Sequence, residues 1–240
     1  EYSLMTQENY RKPYPRPFPC GSVLLGFDRR SVEMTGHRLD ISVGLCEIFL
    51  KTRDKREIRL QVFTDMKEDK LWMRLIDSEG NLCSNVFDRI RVLIDPSTPS
   101  EFPKAEIEEN LTGGVLSFRQ ILPYEEPDKY DPAKGHPKDK AFRLLLSVNG
   151  PLRKTTRIDW NGNDAGMSSL EAGLMNKDMF YSCITLAEGL NGDINMDPPL
   201  TKPPQPEDMT DSEESNKQIW QDYWRKSGVR LSDQFLEKIW

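Results

Sequence analysis

The stretch RIDWNGNDAG, residues 157–166, gathers side chains suited to sugar chemistry: Trp160 stands beside Asn161, Asn163 and Asp164. An indole can stack on the apolar face of a pyranose while neighbouring amides and a carboxylate reach its hydroxyls. The competing reading is a Gly/Asn turn that follows a strand, with Trp160 half-buried. Arg119 and Gln120 form a second candidate pair, either facing a cleft or occupying ordinary strand positions. Cleaving a glycosidic bond takes two carboxyl groups at a set separation, one of them with a raised pKa. The chain holds 39 Asp and Glu residues, but no spacing pairs two of them for this task, so no catalytic residue is assigned.

Other chemistries find less support. Cys20, Cys46, Cys83 and Cys183 are far apart, with no C-x-x-C and no histidine close by. A zinc site needs clustered ligands, so free thiols are expected, with one or two disulfides open to an exported protein. Asp193 and Asp197 lack the spacing of a calcium loop. The residues imply no metal and no cofactor. The 33 basic residues are scattered and the net charge is −6, which argues against nucleic acid as a partner. No run approaches the ~20 apolar residues that span a bilayer, so no membrane partner is expected. The chain begins at Glu1, so the lack of a signal pattern says nothing about export.

These residues need elements to hold them. Prolines at 13, 15, 17 and 19 forbid helix near the start and favour an extended strap. From 22 to 187 the sequence reads as strands: 22–27, 39–45 continuing through 46–50, 57–63, 70–76, 89–94, 114–121, 142–148, 155–160 and 179–187. Apolar residues alternate in several, as with Leu39, Ile41, Val43 and Leu45, the period of a half-buried strand. Short Gly, Asp, Asn and Pro turns join them, and two longer connections, 123–140 and 161–178, read as loops. The fold class expected is mainly β, a large antiparallel β-sandwich followed by a Pro-rich linker and a short helical tail. The domains are 1–190 for the sandwich, 191–211 for the linker, and 212–240 for a linker helix and the start of a further helical domain. Thr210 and Glu213 have capping-box spacing, Trp220, Tyr223 and Trp224 share one face, and Ser227-Gly228 ends the helix. That aromatic face either packs back on the sandwich or meets a neighbouring domain. Ser232 or Asp233 then caps a helix presenting Phe235, Leu236 and Trp240.

With these parts in order, a resemblance follows. Tyr223, Trp224, Lys226, Ser227, Val229, Leu231, Asp233, Leu236, Glu237 and Trp240 form a pattern similar to the domain junction of bacterial glycoside hydrolases with an (α/α)6-barrel catalytic domain. The enzymes meant are those built like maltose phosphorylase and the α-L-fucosidase barrel. YPRPFPCGSVLLGF and HRLDISVGLCEIFL resemble early strands of their N-terminal supersandwich, and GGVLSFRQILP with KAFRLLLSVNG a later pair. The resemblance covers 20–50 and 55–240 loosely and the tail most closely. It implies a non-catalytic sandwich that supports a downstream helical barrel and lends a loop to the substrate cleft. Carbohydrate is then the partner of the parent enzyme, the place periplasmic or extracellular, and the residues from Trp220 to Trp240 a domain interface. Two departures stand against it: a G-N-G-x-x-G type segment is missing, and the family's catalytic carboxylates lie in a barrel beyond this chain. A stand-alone carbohydrate- or protein-binding sandwich and a structural subunit of an assembly are the alternatives.

Overall fold

The computed structural model describes residues 20–94, 102–122, 135–155, 169–193, 204–227 and 232. Twelve strands and one helix lie within them: β1 (Ser22–Gly26), β2 (Val32–Asp40), β3 (Leu45–Thr52), β4 (Glu57–Thr64), β5 (Lys70–Ile76), β6 (Arg89–Leu93), β7 (Glu106–Asn110), β8 (Val115–Leu122), β9 (Lys140–Val148), β10 (Leu152–Lys154), β11 (Ser169–Leu174), β12 (Tyr181–Leu190) and α1 (Pro206–Lys226). They build two antiparallel sheets. One has four strands in the order β1-β6-β11-β10, and the other eight in the order β2-β3-β4-β5-β12-β9-β8-β7. The chain is a mainly β protein, a two-sheet sandwich with a C-terminal helix.

Period-two alternation decides which side chains meet between the sheets. Ile58 and Leu60 of β4, Met73 and Leu75 of β5, Leu116 and Phe118 of β8, and Leu144 and Leu146 of β9 point inward from the larger sheet. Ile90 and Val92 of β6 meet them with Leu170, Ala172 and Leu174 of β11. Burying a side chain of this size contributes about 1.5–3 kcal/mol. Aromatic pairs reinforce this core: Phe87 meets Phe180 edge-on at 5.1 Å, and within the larger sheet Phe118 of β8 meets Phe142 of β9 at 5.9 Å.

The expected strand over 39–45 does not exist as a unit. The larger sheet turns between β2 and β3, and Ile41 is left 58% exposed. The alternation was real, but Asp40 and Gly44 overrule it. Asp40 Oδ1 accepts hydrogen bonds from the Ser42 amide at 3.0 Å and its hydroxyl at 2.5 Å, and Gly44 takes φ +64°. The loop expected over 161–178 contains β11, where Leu170, Ala172 and Leu174 alternate inward. Its small residues hid the pattern. Most of the strand expected at 155–160 lies outside the described residues.

The helix begins earlier than its expected cap. Gln205 is the N-cap and Pro206 opens the first turn, where its missing amide hydrogen leaves no bond unmade. Thr210 therefore caps nothing; its hydroxyl donates back to Pro206 O at 3.0 Å. Glu207 and Asp208 lie at the positive end of the helix dipole, Arg225 and Lys226 at the negative end, and Ser227 is the C-cap as expected. All four cysteines are free thiols. No helix among the described residues is long and apolar enough to cross a membrane.

Candidate functional site

The outer face of the eight-stranded sheet carries the chemistry. On its β2–β5 half, outward positions in otherwise apolar strands hold Arg38, Glu47, Arg59, Gln61 and Arg74, and α1 lies alongside them. Glu47 is 2% exposed. It accepts hydrogen bonds from Arg38 Nη2 at 2.6 Å, Arg59 Nη1 at 3.2 Å and Gln61 Nε2 at 3.1 Å. The Gln61 carbonyl accepts from Arg74 Nε at 2.7 Å, and Arg74 Nη2 pairs with Glu213 of α1 at 2.7 Å. Lys217, one turn on, closes the chain of charges at 3.1 Å. Burial alone would raise the Glu47 pKa. Hydrogen bonds from Gln61 and Arg38 and the charge of Arg59 outweigh it and hold the carboxyl below its ordinary value.

The helix is fixed at three successive levels. At its start Met209, 2% exposed, packs with Phe63, Trp72 and Cys183. One turn on, Ser212 donates to Asp65, and Asn216 accepts from the Met66 amide at 2.9 Å while donating to Thr64 O at 2.5 Å. Burial would raise the Asp65 pKa, but the Ser212 hydroxyl and the Lys67 and Glu68 amides bring it below normal. At the far end Trp220 and Trp224 stack at 6.2 Å, and Tyr223 stands edge-on to both. Trp224 Nε1 donates to Ile41 O at 2.7 Å. A Cβ at Gly44 would come within 2.1 Å of Trp220 Nε1, so the β2–β3 turn admits the indole only because it carries glycine there. Tyr223 remains 50% exposed and Trp224 37%. The aromatic face thus both packs back on the sandwich and presents a ring surface outward.

Beside this network an open groove of about 430 Å³ lies on the same face, lined by Thr35, Phe49, Lys51, Glu57, Arg59 and Ser78. Gly36 faces Phe49 across the β2–β3 ladder, next to a bulge between Met34 and Gly36.

The remaining expected residues fall elsewhere. Arg119 faces the outer side of β8, its guanidinium bonded to the Asn191 carbonyl and, at 2.7 Å, to Asn191 Oδ1. Gln120 faces inward at 1% exposure, its amide donating to Pro103 O at 3.0 Å and Ile121 O at 2.9 Å. The two neighbours therefore serve opposite faces of one strand. Trp160, Asn161, Asn163, Asp164, Phe235, Leu236 and Trp240 lie outside the described residues.

Among the described residues the carboxyls with a displaced pKa, at Asp28, Asp40, Glu47, Asp54, Asp65 and Asp77, all move down. A glycosidic general acid needs the opposite displacement. Among the described residues no group of three or more His, Cys, Asp and Glu side chains could hold a metal ion. The arrangement holds α1 against the sheet and leaves ring surface of Tyr223 and Trp224 exposed. Sequence reasoning missed the Glu47 network and the Phe49 groove, although charged residues alternating with apolar ones in β3, β4 and β5 were their visible signal. Comparison with protein-family models and with curated proteins finds no match to this chain.

Proposed function

We propose that this sandwich is the non-catalytic N-terminal domain of a bacterial glycoside hydrolase and holds a downstream helical catalytic domain in place. The observation that carries the reading is the three-level fixation of α1 on the outer sheet, which leaves Tyr223 and Trp224 with ring surface exposed at the helix end. A helix so anchored is suited to transmit a fixed orientation, and a half-covered aromatic cluster is suited to receive a packed partner. The junction pattern from Tyr223 to Trp240 supplies the nature of that partner.

The test compares two proteins: this chain alone, and the full product of its natural reading frame. Both are assayed against aryl glycosides and oligosaccharides. The full product is expected to turn over one of them and this chain none. Turnover by this chain, or a full product with no helical domain after α1, overturns the reading.

A further inference from the structure

The groove over Phe49 has features that docking does not explain. Its floor is an aromatic ring from β3 that faces outward rather than into the core. On the β2 side the ladder partner is Gly36, so no side chain covers the ring there; a Cβ at Gly36 would just touch Phe49 Cδ2 at 3.9 Å. On the β4 side the partner is Arg59, which also lines the groove and whose guanidinium is engaged by Glu47 at 3.2 Å and by the Asp77 carbonyl at 3.3 Å. The rim alternates charge: Lys51 has Glu33 opposite it on β2 and Glu57 opposite it on β4. Thr35 and Ser78 add hydroxyls, the first donating to Phe49 O at 3.3 Å. The site therefore offers a half-buried aromatic ring, two hydroxyls, and charged groups of both signs, Lys51 and Arg59 beside Glu57.

We propose that this groove is a binding subsite for a neutral saccharide, one pyranose lying against Phe49 with its hydroxyls shared among Lys51, Glu57 and Ser78. The choice of ligand rests on the proposed role in a glycoside hydrolase. A pyranose has an apolar face for the ring and hydroxyls that both donate and accept, which is what a rim with charged groups of both signs can satisfy. An acidic sugar would find Lys51 already flanked by Glu33 and Glu57 and Arg59 already engaged by Glu47, and a purely apolar ligand would leave the rim's polar groups without partners.

The test is calorimetric titration and ligand-observed NMR on this chain with maltohexaose, cellohexaose and xylohexaose as neutral probes. An oligogalacturonate and a sulfated oligosaccharide serve as acidic ones. At least one neutral oligomer is expected to bind, the acidic ones more weakly. Gly36→Val fills the space over the ring with a side chain that strands favour, so it is expected to leave the melting temperature unchanged. The same variant should weaken binding about tenfold or more, as should Phe49→Leu, which removes the aromatic face. Absence of binding by every neutral oligomer, tighter binding of an acidic one, or binding indifferent to both substitutions overturns the proposal. Those outcomes leave the supporting role untouched, because that role rests on α1. Turnover by this chain would remove the supporting role and leave the groove standing.

Discussion

Gly44 is the point where one atom decides whether the helix fits. Its φ of +64° is left-handed, and the space beside it is already filled by the Trp220 indole. Gly44→Ala should cost about 1–2 kcal/mol from the backbone alone, and more because the indole must move. Gly80 provides the control, with φ +92° but nothing within 4 Å of an added Cβ. Urea unfolding followed by tryptophan fluorescence should show Gly44→Ala clearly less stable than Gly80→Ala; equal losses would contradict the packing described. Glu47 sets a second test. Glu47→Gln leaves Arg38 and Arg59 without their shared carboxylate and should cost about 2–3 kcal/mol at neutral pH. At this scale the sequence was only half legible. The outward placement of Glu47, Arg59 and Arg74 follows from strand alternation, but their convergence depends on strands settling in one register. Arg119 and Gln120 show the same limit: adjacency in a strand guarantees opposite faces, and alternation alone does not say which face is buried.

The helix is the element whose behaviour is most open to measurement. Cys183 lies under its first turns with Met209, and burial pushes the thiol pKa up to about 11, against smaller lowering contributions from the Thr185 hydroxyl and the Lys70 charge. It should be the slowest of the four cysteines to react with a thiol reagent near pH 8, since the thiolate is the reactive form. Asn216→Ala removes the side chain that holds Thr64 and Met66 and should cost about 2 kcal/mol. Mass-resolved labelling should then find Cys183 modified faster in that variant; unchanged labelling would mean α1 is held elsewhere. The existence of this helix was plain from its aromatic spacing, and its end from Ser227. Its start was misread because Thr210 and Glu213 have the spacing of a cap, whereas Pro206 opens the helix a turn earlier and Glu213 is engaged by Arg74. Edge strands were the other elements hard to see. β7, with sequence EIEEN, has three of its five side chains acidic and buries none of the five, so no alternation announces it.

For the whole molecule, the lowered carboxyls set a direction for pH dependence. A group whose pKa is lower folded than unfolded contributes stability that is present above its unfolded value and lost as pH falls through the folded one. Glu47, which is buried, and Asp65, which is half-buried, with unperturbed values of 4.5 and 3.8, belong to this set. The urea midpoint should therefore hold from neutrality to about pH 5 and decline as the medium passes below those values. In Glu47→Gln the decline should be shallower, and a midpoint that rises on acidification would reverse the sign argued here. The two-layer sandwich itself was readable from strand frequency and short turns. The strand order was not, because β6 joins β1 to β11 and β12 sits between β5 and β9, pairings that no local pattern encodes.

The successive attachments of α1 have a mechanical consequence. A helix of 21 residues is roughly 30 Å long. Held only at Met209, it would behave as a cantilever, and a tilt of a few degrees at the root would swing its tip by an ångström or more. The Ser212 and Asn216 hydrogen bonds at mid-length, and the Trp224–Ile41 hydrogen bond with the Trp220–Gly44 contact at the tip, convert the cantilever into a beam supported along its length. Its bearing is then set by three points along one sheet, and anything joined beyond Lys226 inherits that bearing as its zero of alignment.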